Sequence, residues 1–293
     1  MSRVWIVGPL AWDTVLNVSH LPEPGGFVQG SGLMGRPGGT AANVAVGLAS
    51  SGVTTGFAGY VGEDELSKKL LESLESSEIE SLHVKELPGE ANHVLILIDG
   101  KGERTIVGLT DDRLDQVTIR DVELKPDDYV VFVLWRSHFL EDLRYAQSVG
   151  CKIIVGIEAL EEEPLISADF CIGSGSDAND NFDPSKYLDR FERIVITGGA
   201  NGAKQYWREN GEVKVLHQPA IPVQEVVDTT GAGDSFLAGY IKALIDSVDK
   251  VNDPMLIGAH WSALAVSMPG SQPPDWSLVE SSFPRIKNLD DRL

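Results

Sequence analysis

The run Asp228-Thr-Thr-Gly-Ala-Gly-Asp-Ser-Phe236, DTTGAGDSF, decides how this chain is read. Two glycines flank an alanine and an aspartate follows directly. Phe236, Leu237, Tyr240, Ile241, Leu244 and Ile245 then recur at helical spacing. Val226 and Val227 just upstream read as the end of a strand. The glycines therefore stand where a loop becomes a helix. First-turn N–H groups there have no carbonyl one turn back, and the helix dipole adds partial positive charge. Glycine lets an anion approach that backbone, so a phosphate suits the place, with the Asp234 carboxylate beside it. Alone, the run reads at least as well as a turn in which Thr229 or Thr230 caps the helix. A second site is needed to choose.

Outward from this run, apolar segments alternate with helical patterns. Val4–Val7 is followed by a helix over 40–49, and Phe57–Val61 by a charged helix over about 63–75. Val130–Leu134 precedes a helix over 139–148, while Lys152–Ile157, Ala168–Ile172 and Arg193–Thr197 read as further strands. Short, continuously apolar runs suit parallel strands buried on both faces. Their alternation with helices predicts one α/β domain over 1–293, built on a doubly wound, mostly parallel sheet. Two segments break the rhythm. Residues 13–35 are rich in Gly and Pro, and 91–109 reads as a hairpin, HVLILI and RTIVGL joined through Asp99-Gly. Together they predict a small second sheet, either a lid over a site or a surface elaboration.

The chain carries 44 Asp and Glu against 24 Lys and Arg, a net charge of -20. Such a surface repels nucleic-acid phosphates and anionic lipid, so neither nucleic acid nor membrane is expected as a partner. Solubility accounts for the acidity, and a local basic pocket for an anionic substrate stays compatible with it. Cys151 and Cys171 lack CxxC spacing, which argues against a disulfide framework or structural zinc. The N-terminal MSRVWIVG reads as a strand and not a signal peptide, and the apolar run 129–135 is too short to span a bilayer. A cytoplasmic location is expected.

The second site is Gly38-Gly39-Thr-Ala-Ala-Asn43, which opens another helix and has Gly52 and Gly62 beyond it. The stretch GGTAANVAVGLASSGVTTGFAGYVG, 38–62, resembles the first signature of the ribokinase/PfkB family of sugar kinases. DTTGAGDSFLAGYI resembles the second, in the same order and 190 residues on. The resemblance implies a ribokinase-like three-layer sandwich with a small β-sheet lid. It also implies an ATP- and Mg2+-dependent kinase acting on a primary hydroxyl of a sugar or sugar derivative. In these enzymes the residue matching Asp234 is the general base, and the amides matching Gly231, Ala232 and Gly233 form an anion hole. A helix N-terminus is expected to hold Asp234 ionised and weakly basic, which a loose phosphoryl-transfer transition state tolerates. Asp13 in GPLAWD, with Gly38, Gly39 and Asn43, matches the sugar contacts. A carboxylate plus an amide suits a polyol. Thr197-Gly-Gly-Ala-Asn-Gly202 resembles the Thr-x-Gly-x-x-Gly run of the nucleotide side, which implicates Thr197, Gly199 and Gly202 together with Gly231 and Gly233. The segment from Gly258, with His260, resembles the helix closing the nucleotide pocket. Many members bind a monovalent cation such as K+ near positions matching Asp228 and Thr230. Many dimerise through lid strands, so a homodimer is a further expectation.

One segment departs from the pattern. Many members carry Asn-x-x-Glu after the strand matching 168–172, organising magnesium-bound water. This chain has Gly173-Ser-Gly-Ser-Asp177, which leaves Ser174 and Asp177 to stand in, with Asp177 reaching magnesium through water. Arg136, at the end of YVVFVLW, and Arg104, in the hairpin, would favour an anionic sugar if both converge on the site. Singly, each reads as a surface ion-pair residue. Trp12 and Trp135 are candidates to stack on a sugar ring, against the ordinary reading of core packing. GKGERTI and Trp135-Arg136 resemble the ketohexokinase and sulfofructose kinase side of the family. The competing readings are a nucleoside kinase, which needs an apolar or aromatic pocket, and a sugar sensor, which has no use for Asp234. A dinucleotide-dependent dehydrogenase is disfavoured, because the first strand leads into GPLAWD and not GxGxxG.

Overall fold

Alternate residues of each apolar run point to opposite faces of a sheet, and this splits the core in two. Val4 and Ile6 pack into one cluster with Val131, Ile154, Ile172 and Val195, while Trp5 and Val7 pack into the other with Val130, Phe132, Ile153, Val155 and Ile194. The computed structural model describes residues 2–177, 182–246 and 253–282. Its strands are β1 (Val4–Val7), β2 (Ala11–Asn17), β3 (Ser31–Gly38), β4 (Thr55–Val61), β5 (Ser81–Glu86), β6 (His93–Ile98) and β7 (Arg104–Gly108). They continue with β8 (Tyr129–Phe132), β9 (Lys152–Val155), β10 (Ala168–Ser174), β11 (Phe191–Thr197), β12 (Ala203–Glu209) and β13 (Glu212–Gln218).

The main sheet has nine strands in the order β13-β12-β11-β10-β9-β8-β1-β4-β5. Seven are parallel, and β12 and β13 extend the edge antiparallel. The first cluster takes in helices α1 (Thr40–Ser50), α2 (Glu65–Glu75), α4 (Ala232–Asp246), α5 (Pro254–Val266) and α6 (Trp276–Ser282). Helix α3 (Leu140–Val149) and the buried residues Leu114, Ile119 and Leu160 of the connecting segments cover the other face. This is a ribokinase-like α/β sandwich of three layers. The order reverses at β1, whose neighbours are β8 and β4, so a crevice opens at the carboxyl ends of these strands. The two irregular segments join in a four-stranded sheet, β3-β2-β6-β7. None of the described helices is long and apolar enough to cross a membrane.

Val226 and Val227 depart from the expected strand end. Both are exposed, in irregular chain, and the N–H of Val227 bonds Val266 O in the last turn of α5 at 2.8 Å. The backbone donor goes to a helix terminus, so no strand partner is engaged there.

Candidate active site

Helices α1 and α4 begin side by side above the crevice because glycine permits it. At Gly39 (φ 95°), which precedes α1, a β-carbon would lie 2.7 Å from Pro9 O and Ala11 N. A side chain at Gly38 would overlap the Asp13 carboxylate. At Gly231 (φ 75°) a β-carbon would overlap Ser271 O. Gly233 differs, since nothing lies within 4 Å of where its β-carbon would be, and the backbone opens onto the cleft. Gly231 O accepts from both the N–H and the hydroxyl of Ser235 at 2.9 Å. The carboxylate of Asp228, not a threonine hydroxyl, organises the turn, its Oδ1 accepting from Thr230 N–H at 2.8 Å.

The two glycine runs meet through one bond. Asn43 Nδ2 donates to Asp234 Oδ2 at 2.8 Å, and Asn43 Oδ1 is buried with no partner. Asp13 is buried at the end of the small sheet nearest the crevice. Burial raises its carboxyl above the usual range, against the opposing charges of Arg36 and Arg104. Asp234 sits in the first turn of α4, deep in the cleft yet reached by solvent. Burial pushes its carboxyl up to about 6, while the Asn43 bond and the Arg104 charge pull it down and the nearby Asp13 pushes it up. The expectation of a weakly basic Asp234 is thus corrected. Desolvation outweighs the favourable end of the helix dipole.

The small sheet presents one face to this cleft. Cross-strand partners share a face, and Asp13 pairs with Arg36, Val15 with Ile96, Ile96 with Ile106 and Ile98 with Arg104. By alternation along the strands, Asp13, Met34, Arg36, Arg104 and Ile106 lie on the same side. Arg104 Nη1 donates to Thr229 O at 2.9 Å, and Arg36 Nη2 lies 3.4 Å from Asp228 Oδ2. Arg136 points elsewhere. Its Nη1 donates to Trp135 O at 2.9 Å, and its charge acts on Glu158. The pair that meets at the cleft is therefore Arg36 and Arg104, not Arg104 and Arg136. Sequence reading missed Arg36 because only strand pairing places it opposite Asp13. Trp135 is fully buried, edge-on to Phe132 with ring centroids 5.6 Å apart, and Trp12 faces away from Asp13 with Lys69 Nζ 5.4 Å over its ring. Neither indole reaches the cleft.

The pfkB family carbohydrate kinase profile matches residues 1–132 and 179–278. The chain belongs to that family. It is 22% identical to a ribokinase of Dictyostelium discoideum, with 99% of each chain covered. It is 25% identical to a nucleoside kinase of Methanocaldococcus jannaschii, covering 95% of this chain and 96% of the relative. The structure of Arabidopsis thaliana ribokinase complexed with ribose and ATP superposes with a TM-score of 0.73 at 20% identity, covering 96% of this chain and 97% of that one. This pfkB-family protein is an ATP-dependent phosphotransferase that acts on a sugar or a nucleoside.

In the Thr197–Gly202 run, Thr197 ends β11 and its hydroxyl donates to Gly173 O at 3.4 Å. Gly199 and Gly202 take φ of 54° and 80°, which bends the loop back on itself. A cavity of about 340 Å³ adjoins this loop, lined by Thr197, Asn201, Gly202, Lys204 and Tyr206 among others. His260 is half-buried on α5, and burial lowers its pKa. Asp177 is exposed in a short 3-10 turn, held by the Ser176 hydroxyl at 3.3 Å.

Magnesium and a monovalent cation fit these residues differently. Glu158 follows β9 and has a buried Oε2 without a partner; burial raises its pKa against backbone N–H bonds and the Arg136 charge, and the nearby Asp177 charge adds to the rise. Two carboxylates near one sheet edge suit magnesium, which takes one or two carboxylates and otherwise phosphate and water oxygens. Asp228 is already engaged. Burial opposes its ionisation, but the bonds from Thr230 and Gly270 and the Arg36 charge outweigh this and hold its carboxyl below the usual range. Its oxygens receive Thr230 N–H, Gly270 N–H and Arg36, an arrangement that does not suit a further cation.

Proposed function

We propose that this kinase transfers the γ-phosphoryl group of ATP to a primary hydroxyl of a monosaccharide or sugar derivative, with Asp234 as general base. The observation that carries the reading is the Asn43–Asp234 bond. It joins the two glycine runs and leaves an unpaired Asn43 Oδ1 beside the base. A substrate hydroxyl has an acceptor there and Asp13 as another, and the bound polyol is fixed with one hydroxyl against Asp234. The proton passes to Asp234 as the hydroxyl oxygen bonds the γ-phosphorus, and the bond to the β–γ bridging oxygen breaks to release ADP. The amides of Gly231, Ala232 and Gly233 stabilise the charge on the transferring group. Magnesium, when bound, neutralises phosphate charge, and Asp177 with Glu158 would hold it. Thr197, Gly199 and Gly202 face the nucleotide phosphates, with His260 at the edge of the nucleotide site.

The small sheet acts as a lid in this reading, since it brings Asp13, Arg36 and Arg104 to the cleft. A nucleoside acceptor is the second reading. It is favoured by Met34 and Ile106, each more than half exposed on the cleft-facing side, where they offer apolar surface to a base. On the opposite side Leu33 is largely exposed and Val107 partly so, which supports pairing of two copies through the lid.

Purified protein with ATP, magnesium and a panel of sugars and nucleosides decides among these readings. At least one sugar should drive ADP formation, and Asp234→Asn should lower turnover roughly 100- to 10,000-fold while ATP still binds. A variant that kept most of its turnover would remove Asp234 from the mechanism. Tight sugar binding with no ADP formed from any acceptor would make the protein a sensor.

A further inference from the structure

Asp228 ties three parts of the molecule together. Its Oδ1 accepts from Thr230 N–H at 2.8 Å, inside the loop that leads to the α4 N-terminus. Its Oδ2 accepts from Gly270 N–H at 3.3 Å, in the loop whose Ser271 O closes on Gly231. The same oxygen faces Arg36 Nη2 of β3 at 3.4 Å, and the two side chains are only 9% and 18% exposed. A carboxylate this well buried needs a countercharge. An arginine guanidinium stays charged throughout the working pH range, so it supplies that charge whatever salt surrounds the protein. Arg36 reaches Asp228 across 192 positions of chain, from the small sheet to the loop before α4.

We propose that Arg36 is a built-in replacement for a monovalent cation at Asp228. Its charge fixes the Asp228–Gly231 loop in the shape that receives phosphate and locks the lid sheet to that loop, so the kinase needs no K+. Arg36 is a positioning residue, and the inference rests on the kinase reading above. It separates this chain from relatives that take up an ion near the corresponding aspartate.

The test needs no turnover, so its failure is distinguishable from failure of the sugar-kinase reading. Thermal unfolding of the free protein, and binding of a non-hydrolysable ATP analogue, are measured in potassium chloride and in tetramethylammonium chloride at equal ionic strength. Wild type should give the same midpoint and affinity in both salts. Arg36→Ala should bind the analogue on the order of tenfold more weakly in tetramethylammonium, and K+ should restore most of the loss. The double variant Arg36→Ala/Asp228→Asn, lacking both charges, should fold without K+ and show no response to it. This outcome supports the proposal even if the single variant fails to fold. Stabilisation of wild type by K+ overturns the proposal. So does an Arg36→Ala protein indifferent to K+, or a double variant that unfolds like a single one.

Discussion

Asp234 stands between opposed influences. Burial pushes its carboxyl up to about 6, and the Asn43 hydrogen bond and the Arg104 charge pull it down. In the proposed role of base it works only when ionised, so kcat/KM should fall below about pH 6. Asn43→Ala removes a bond to the ionised form, and this acidic limb should move to higher pH with turnover reduced about tenfold or more. A pH–rate profile checks both, and an unmoved limb would exclude Asn43 as a partner of the base. Stability carries the opposite sign. Because folding raises this pKa from 3.8, the stabilisation from the bound proton is full below that value and lost as pH rises through about 6. Asp234→Asn should therefore melt above wild type at pH 7 to 8, and the gap should narrow towards pH 4. This residue would then be more useful to catalysis than to folding.

At the scale of elements, the two helix starts place the chemistry, and their glycines do different jobs. Gly231→Ala meets both a positive φ and the Ser271 carbonyl, so it should cost about 1–3 kcal/mol or more and abolish transfer. Gly233→Ala meets open space at the head of α4. Alanine is the better helix former, so stability should hold or rise by up to about 1 kcal/mol, while the methyl should narrow the proposed phosphate cradle and lower turnover. Denaturant unfolding beside initial rates separates the two. Equal losses of stability would show that both glycines serve only the turn. The helix starts were legible because glycine runs and helical spacing are local. β12 and β13 were not, because AKQYWRE and EVKVLHQ, the two strands at the antiparallel end of the sheet, mix polar and apolar residues without a continuous run.

At the scale of the molecule, the small sheet and the main sheet share the cleft, and Arg104 is one of the links. It is exposed, donates to Thr229 O, and lowers the Asp234 pKa. Arg104→Ala should change stability by no more than about 0.5 kcal/mol, yet shift the acidic limb of the rate profile upward and weaken catalysis. Loss of stability without a shift in the limb would reduce Arg104 to a structural tie.

The doubly wound α/β class, the two glycine-started helices and the identity of the family follow from the chain read residue by residue. Each rests on local signals: apolar runs, helical spacing and two motifs in order. Tertiary structure alone decided which charges meet. It brought Arg36, not Arg136, to the same loop as Arg104, made Trp135 core, and raised the pKa of Asp234. Strand pairing and desolvation depend on neighbours far away in the chain, so these features could not be read along it.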